Sequence, residues 1–143
     1  MHQLAAMLHG TLPWVTPQGR LIIASLARSG GRIAPASTLA AGVGLLDRHQ
    51  LARALEREGL PQLEVLAGWI NLIAWTVAWE EHGTPLAVSA VRAGRDPACC
   101  YRTVKRVSGL TWGEAQQRGL PWILLQLRDH CARPQVERRR KMA

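Results

Sequence analysis

Residues 39 to 119 of this 143-residue chain carry one short pattern twice, and a duplication of that kind permits few architectures. The first copy reads LAAGVGLLDRHQLARALEREGL from Leu39 and the second LAVSAVRAGRDPACCYRTVKRVSGL from Leu86. In each, small apolar residues lead to a glycine (Gly44, Gly94), an aspartate follows (Asp47, Asp96), and a basic amphipathic stretch comes next. Glycine tolerates the left-handed backbone of a tight turn, and aspartate accepts hydrogen bonds from the free N–H groups of a helix start. Each copy therefore predicts a helix, a turn and a second helix.

The apolar spacing assigns faces. In the first copy Ser37 is expected as an N-cap, with Leu39, Ala40 and Val43 inward. Leu51 and Leu55 bury together on its second helix, leaving Arg48, His49, Ala52 and Arg53 outward. In the second copy Leu86, Val88, Ala90 and Val91 supply the scaffold helix. Cys100, Val104 and Val107 then face inward, Cys99, Arg102, Thr103 and Arg106 outward, and Tyr101 sits at the margin. The interval from the turn glycine to the first inward residue differs by one, Gly44 to Leu51 against Gly94 to Cys100.

Between the copies lies EVLAGWINLIAWTVAWEE, expected as one long helix opened by Pro61. Val65, Leu66, Trp69, Leu72, Ile73, Thr76 and Trp79 form a broad stripe that Trp75 and Val77 widen, so neighbours must cover it on several sides. Interrupted by Gly68 and Asn71, the run falls short of the roughly 18 apolar residues of a membrane span. Its tryptophans are expected in the core and not around a ligand.

Outside the duplication, a short helix is expected over residues 2–9, with Leu4, Met7 and Leu8 on one side. A second starts at Pro17, capped by Thr16, carries Leu21, Ile22, Ser25 and Leu26, and stops at Gly30-Gly31. A last helix over residues 121–133 carries Trp122, Leu124, Leu125 and Leu127, followed by a mobile basic tail, ERRRK. The expected fold is all-α: two helix-turn-helix subdomains on a long apolar linker helix, with short helical extensions at both ends. The expected division is residues 1–35, an N-terminal appendage; 36–120, the tandem unit; and 121–143, a C-terminal helix and tail.

With 18 Lys and Arg against 10 Asp and Glu, the net charge is +8 and the pI about 11.0, which selects a polyanionic partner. Nucleic acid suits this pattern better than a membrane surface, because the basic residues alternate with helical stripes and flank no anchor. A hydrophobic content of 48% is too high for a disordered chain. Three cysteines, two of them adjacent, make neither a disulfide framework nor a zinc pattern, so a reducing cytoplasm is expected, and the start has no basic leader of a signal peptide. No His or Cys pair has metal-ligand spacing, no glycine loop suits a phosphate, and no Ser/His/Asp group or carboxylate pair offers catalysis. No enzyme activity, catalytic residue, metal or cofactor is expected.

Taken together, Leu39, Ala40, Gly44, Leu51, Arg53 and Leu55, then Ala90, Gly94, Arg102, Lys105, Arg106, Gly109, Thr111 and Glu114, resemble the AraC/XylS family of bacterial transcription regulators over about residues 36–119. The segment RTVKRVSGLTWGEAQ is similar to that family's closing signature. The resemblance implies two recognition helices in successive major-groove segments of double-stranded DNA, with base-reading positions at His49, Ala52 and Arg53 and at Ala98, Cys99, Tyr101 and Arg102. Arg48, at the edge of the first set, suits a base or a phosphate, and Lys105 and Arg106 suit phosphates. The family's large aromatics are replaced by Leu55, Cys100 and Val104, and its proline by Trp112. RNA polymerase or a separate sensory or dimerisation protein would be the further partner. Two other readings compete: a helical protein-interaction adaptor with reduced DNA readout, and a nonspecific DNA-binding protein.

Overall fold

A computed structural model describes residues 2–28 and 36–142, with side chains over residues 3–28 and 38–131. The described residues form helices and no strands. In chain order these are α1 (His2–Thr11), α2 (Pro17–Arg28), α3 (Ala36–Gly42), α4 (Arg48–Arg57), α5 (Leu63–His82), α6 (Leu86–Arg92), α7 (Pro97–Ser108), α8 (Trp112–Arg118) and α9 (Leu120–Met142). The expected stop at Gly30-Gly31 lies outside the described residues.

The apolar helix α5 is the axis. Its Leu66, Ala67, Trp69, Ile70, Leu72, Ile73 and Trp75 are buried, and α2, α6, α7 and α9 pack around it. Helix α1 packs on α2 and α9, α3 on α4, and α8 on α7 and α9. One continuous hydrophobic cluster runs from Leu8 of α1 through Ile22, Leu51, Leu72 and Val104 to Leu127 of α9. In the second turn of α5 the chain needs Gly68, because a Cβ there would stand 2.6 Å from Val107 Cγ2 and 3.6 Å from Thr103 Cγ2. Helix α7 is seated on that bare backbone.

Polar contacts tie the ends of the chain to this frame. The Gln3 amide donates to Glu81 at the end of α5 (3.0 Å), and Glu80 accepts from Leu120 N at the start of α9 (3.0 Å). The Trp14 indole N–H donates to the Glu58 carbonyl (3.0 Å), and Thr16 N donates to the Glu58 carboxylate (3.0 Å).

Several expectations are corrected. Thr16 precedes α2 as expected and its carbonyl accepts from Arg20 N (2.9 Å), while its hydroxyl donates to the nearly buried Glu58 carboxylate. Ser37 is the second residue of α3 and not its cap. Helix α5 starts at Leu63, two residues after Pro61, with Gln62 as N-cap. Trp79 is 37% exposed because the stripe outlasts its cover. Leu21, Val88, Val91 and Leu125 are exposed as well; on the short helix α6 only Leu86 and Ala90 reach the core. Among the described side chains of α9, Ile123, Leu127 and Cys131, one turn apart, are buried, and the expected Trp122 and Leu124 are partly buried against the same core. Helix α8 was not expected, and α9 runs past residue 133 to Met142.

Candidate nucleic-acid interface

The two helix pairs are built by the same local chemistry. Gly44 (φ 79°) and Gly94 (φ 69°) take the left-handed conformation. The following N–H then returns to the scaffold helix, Leu45 N to Ala40 O at 2.8 Å and Arg95 N to Ala90 O at 2.9 Å. An aspartate starts each next helix. Asp47 accepts from His49 N (3.0 Å) and Gln50 N (2.9 Å), and Asp96 accepts from Ala98 N (3.1 Å). The second turn is one residue shorter, Gly94-Arg95-Asp96 against Gly44-Leu45-Leu46-Asp47, as the spacing required. Beyond the cap the helices come back into step, with Leu51 matching Cys100, Arg53 matching Arg102 and Leu55 matching Val104.

The cap on α4 is also an electrostatic feature. The Gln50 N–H, foremost, and the His49 N–H, with the nearby His49 and Arg53 charges, hold the Asp47 carboxyl below the ordinary carboxylate range. An ionised carboxylate thus sits at the positive end of the helix. Glu114 is held low in the same way by the Thr111 N–H and hydroxyl in the capping box that starts α8.

All four candidates on α4, Arg48, His49, Ala52 and Arg53, are exposed, while Leu51 (1%) and Leu55 (3%) are buried behind them. On α7 Ala98, Cys99, Tyr101 and Arg102 are exposed over buried Cys100 and Val104. Thr103 corrects the expected outward set. It is 6% exposed, its hydroxyl donates to Cys99 O (3.0 Å), and its methyl lies towards Gly68.

The phosphate candidates are partly engaged within the protein. Lys105 Nζ donates to the Gly109 carbonyl (3.0 Å) at the end of α7. The Arg106 guanidinium hangs over α5, 3.9 Å from where a Cβ on Gly68 would be. Both side chains remain exposed. Arg95 lies on the Trp75 ring, 5.7 Å from its centroid, at the base of the second turn.

Sequence reasoning overlooked Leu46, 84% exposed in the longer turn, and Glu58, which ends α4 as a nearly buried carboxylate. It also overlooked an open groove between α4 and the start of α5. The Thr111-x-x-Glu114 spacing was a readable signal for α8. Among the described residues, no group of three or more His, Cys, Asp or Glu could hold a metal ion. No described helix is long and apolar enough to cross a membrane. No family model matches the chain, and no curated protein or solved structure matches it either.

Proposed function

We propose that this protein binds double-stranded DNA in a sequence-specific manner and regulates transcription, with α4 and α7 as two recognition helices held by α5. The observation that carries this reading is the repeated presentation of a basic helix. Two glycine turns of the same bonding pattern each lead to an aspartate-capped helix, and Arg53 and Arg102 occupy matching exposed positions. Arginine on such a face can donate two hydrogen bonds to guanine O6 and N7. The net charge of +8 supplies the nonspecific attraction that precedes reading. The AraC/XylS resemblance agrees with this arrangement.

The reading is tested by selecting bound duplexes from random DNA and titrating variants against the selected and random sequences. Two enriched elements about one helical turn apart, roughly 10 base pairs, are expected. Arg53→Ala and Arg102→Ala should each cost about 1–3 kcal/mol on the selected duplex, relax preference at one position and change random-DNA binding far less. Equal losses on both duplexes would sink the base-reading assignment and leave a nonspecific binder. The adaptor reading draws on the exposed Val88 and Val91 of α6. It requires that binding to DNA or heparin be absent or indifferent to salt.

A further inference from the structure

Beside α4 lies an open groove of about 780 Å³, walled by Arg48, His49, Ala52 and Leu55 of that helix and by Leu60 and Leu63 of the run into α5. Its size is that of a small-molecule site, about 300–1,000 Å³. The duplication explains why it is open. A Gly-Leu pair and a new helix follow each basic helix, Gly59-Leu60 before α5 and Gly109-Leu110 before α8. With Leu51 aligned on Cys100 and Leu55 on Val104, Ala52 falls opposite Tyr101 and Leu63, first residue of α5, opposite Trp112, first residue of α8. In the second unit Trp112 is only 8% exposed, in the core where α8 packs on α7. In the first unit an alanine and a leucine stand where the second has two aromatic rings.

The groove is also polarised. Arg48 and His49 line it from the first turn of α4, and Glu56 lines it two turns later, about 12 Å along the axis at 1.5 Å per residue. Glu64, in the first turn of α5, lines the groove as well. Between the two ends the floor is apolar, with Leu51 and Leu55 beneath.

We propose that this groove binds a small planar aromatic acid. The ring occupies the space that Trp112 fills in the second unit, and the acid group meets Arg48 and His49. A guanidinium grips a carboxylate through paired hydrogen bonds, and the carboxylate of Glu56, two turns away, disfavours the reversed orientation. Because Arg48, His49 and Ala52 are also base-reading candidates, an occupied groove keeps α4 off DNA; this last step rests on the function proposed above.

The test titrates the full chain with the fluorescent aromatic sulfonate anilinonaphthalene sulfonate, and with its uncharged relative phenylnaphthylamine. One bound sulfonate per chain is expected, held more tightly than the uncharged dye. Leu63→Trp supplies the ring that the second unit already accommodates, and it should weaken the sulfonate at least about tenfold with helicity unchanged. Leu63→Phe serves as the second variant should tryptophan prevent folding. Sulfonate binding that is absent from the wild type, or unchanged in the folded Leu63 variants, overturns the proposal. A duplex that the wild type binds should displace the dye and should still bind Leu63→Trp; dye and duplex bound together without competition overturn the exclusion step. Dye binding that depends on Leu63 in a protein that binds no duplex supports the groove and removes the DNA reading.

Discussion

Glu58 shows how much one side chain can organise. It ends α4, is 8% exposed, and holds the entry to α2: its carboxylate accepts from Thr16 N and from the Thr16 hydroxyl, and its carbonyl accepts from the Trp14 indole. Helix α2 has no acidic residue in its own first turn. The negative charge that favours a helix N-terminus therefore comes from 42 residues away. Through it, the position of α4 is linked to the N-terminal hairpin. Glu58→Gln keeps the shape and removes the charge. Since hydrogen bonds to an ionised acceptor contribute about 1.5–3 kcal/mol, a loss of that order is expected in the urea midpoint. An unchanged midpoint, with unchanged slope, would show that the latch contributes nothing to stability.

At the scale of elements, the contact between α5 and α7 sets two effects against each other. Alanine in a helix interior is favoured over glycine by about 1 kcal/mol, so Gly68→Ala would stabilise α5 if space allowed. Space does not allow it, because the added methyl meets Val107 Cγ2 at 2.6 Å and overpacking costs about 1–3 kcal/mol. A net loss is expected in the wild-type background and a net gain in Val107→Ala. A double-mutant cycle measures that change of sign, and additive effects would place α7 elsewhere on α5. The same contact shows what was legible in the sequence. Helical periodicity alone placed Leu51, Leu55, Cys100 and Val104 inward and the basic residues outward, because burial on a helix follows its 3.6-residue period. Thr103 was misplaced because its burial depends on a glycine 35 positions away, which no local pattern reveals. Trp79, Val88 and Val91 fit an apolar stripe and stay exposed because cover is a property of neighbours. The groove beside α4 was not legible either. Finding it requires matching Leu63 to Trp112 across two turns of unequal length.

For the whole molecule, the question is whether the two units open together. A single cluster links α1, the first unit, α5, the second unit and α9, and two of the three cysteines, Cys100 and Cys131, lie in it at separate points. Cys99 is exposed on α7, Cys100 is buried beneath it, and Cys131 is buried on α9. Burial raises the Cys100 thiol and pushes Cys131 up to about 12, so both are poorly ionised as well as covered in the folded state. The thiolate is the reactive form, so only Cys99 should react promptly with an alkylating reagent in the native protein. With Cys99 changed to Ser, labelling of Cys100 and Cys131 must wait for an opening of the structure. If that opening is global, both sites label with the same free energy of opening, and low urea shifts them in parallel. This is the expected result, because the core that covers Cys100 through α5 continues without interruption to the core that covers Cys131. Faster labelling of Cys100 alone would mean that α6 and α7 open as a unit of their own. Linker helix α5 would then act as a hinge, and the fixed separation of α4 and α7 that two-site DNA reading requires would be lost.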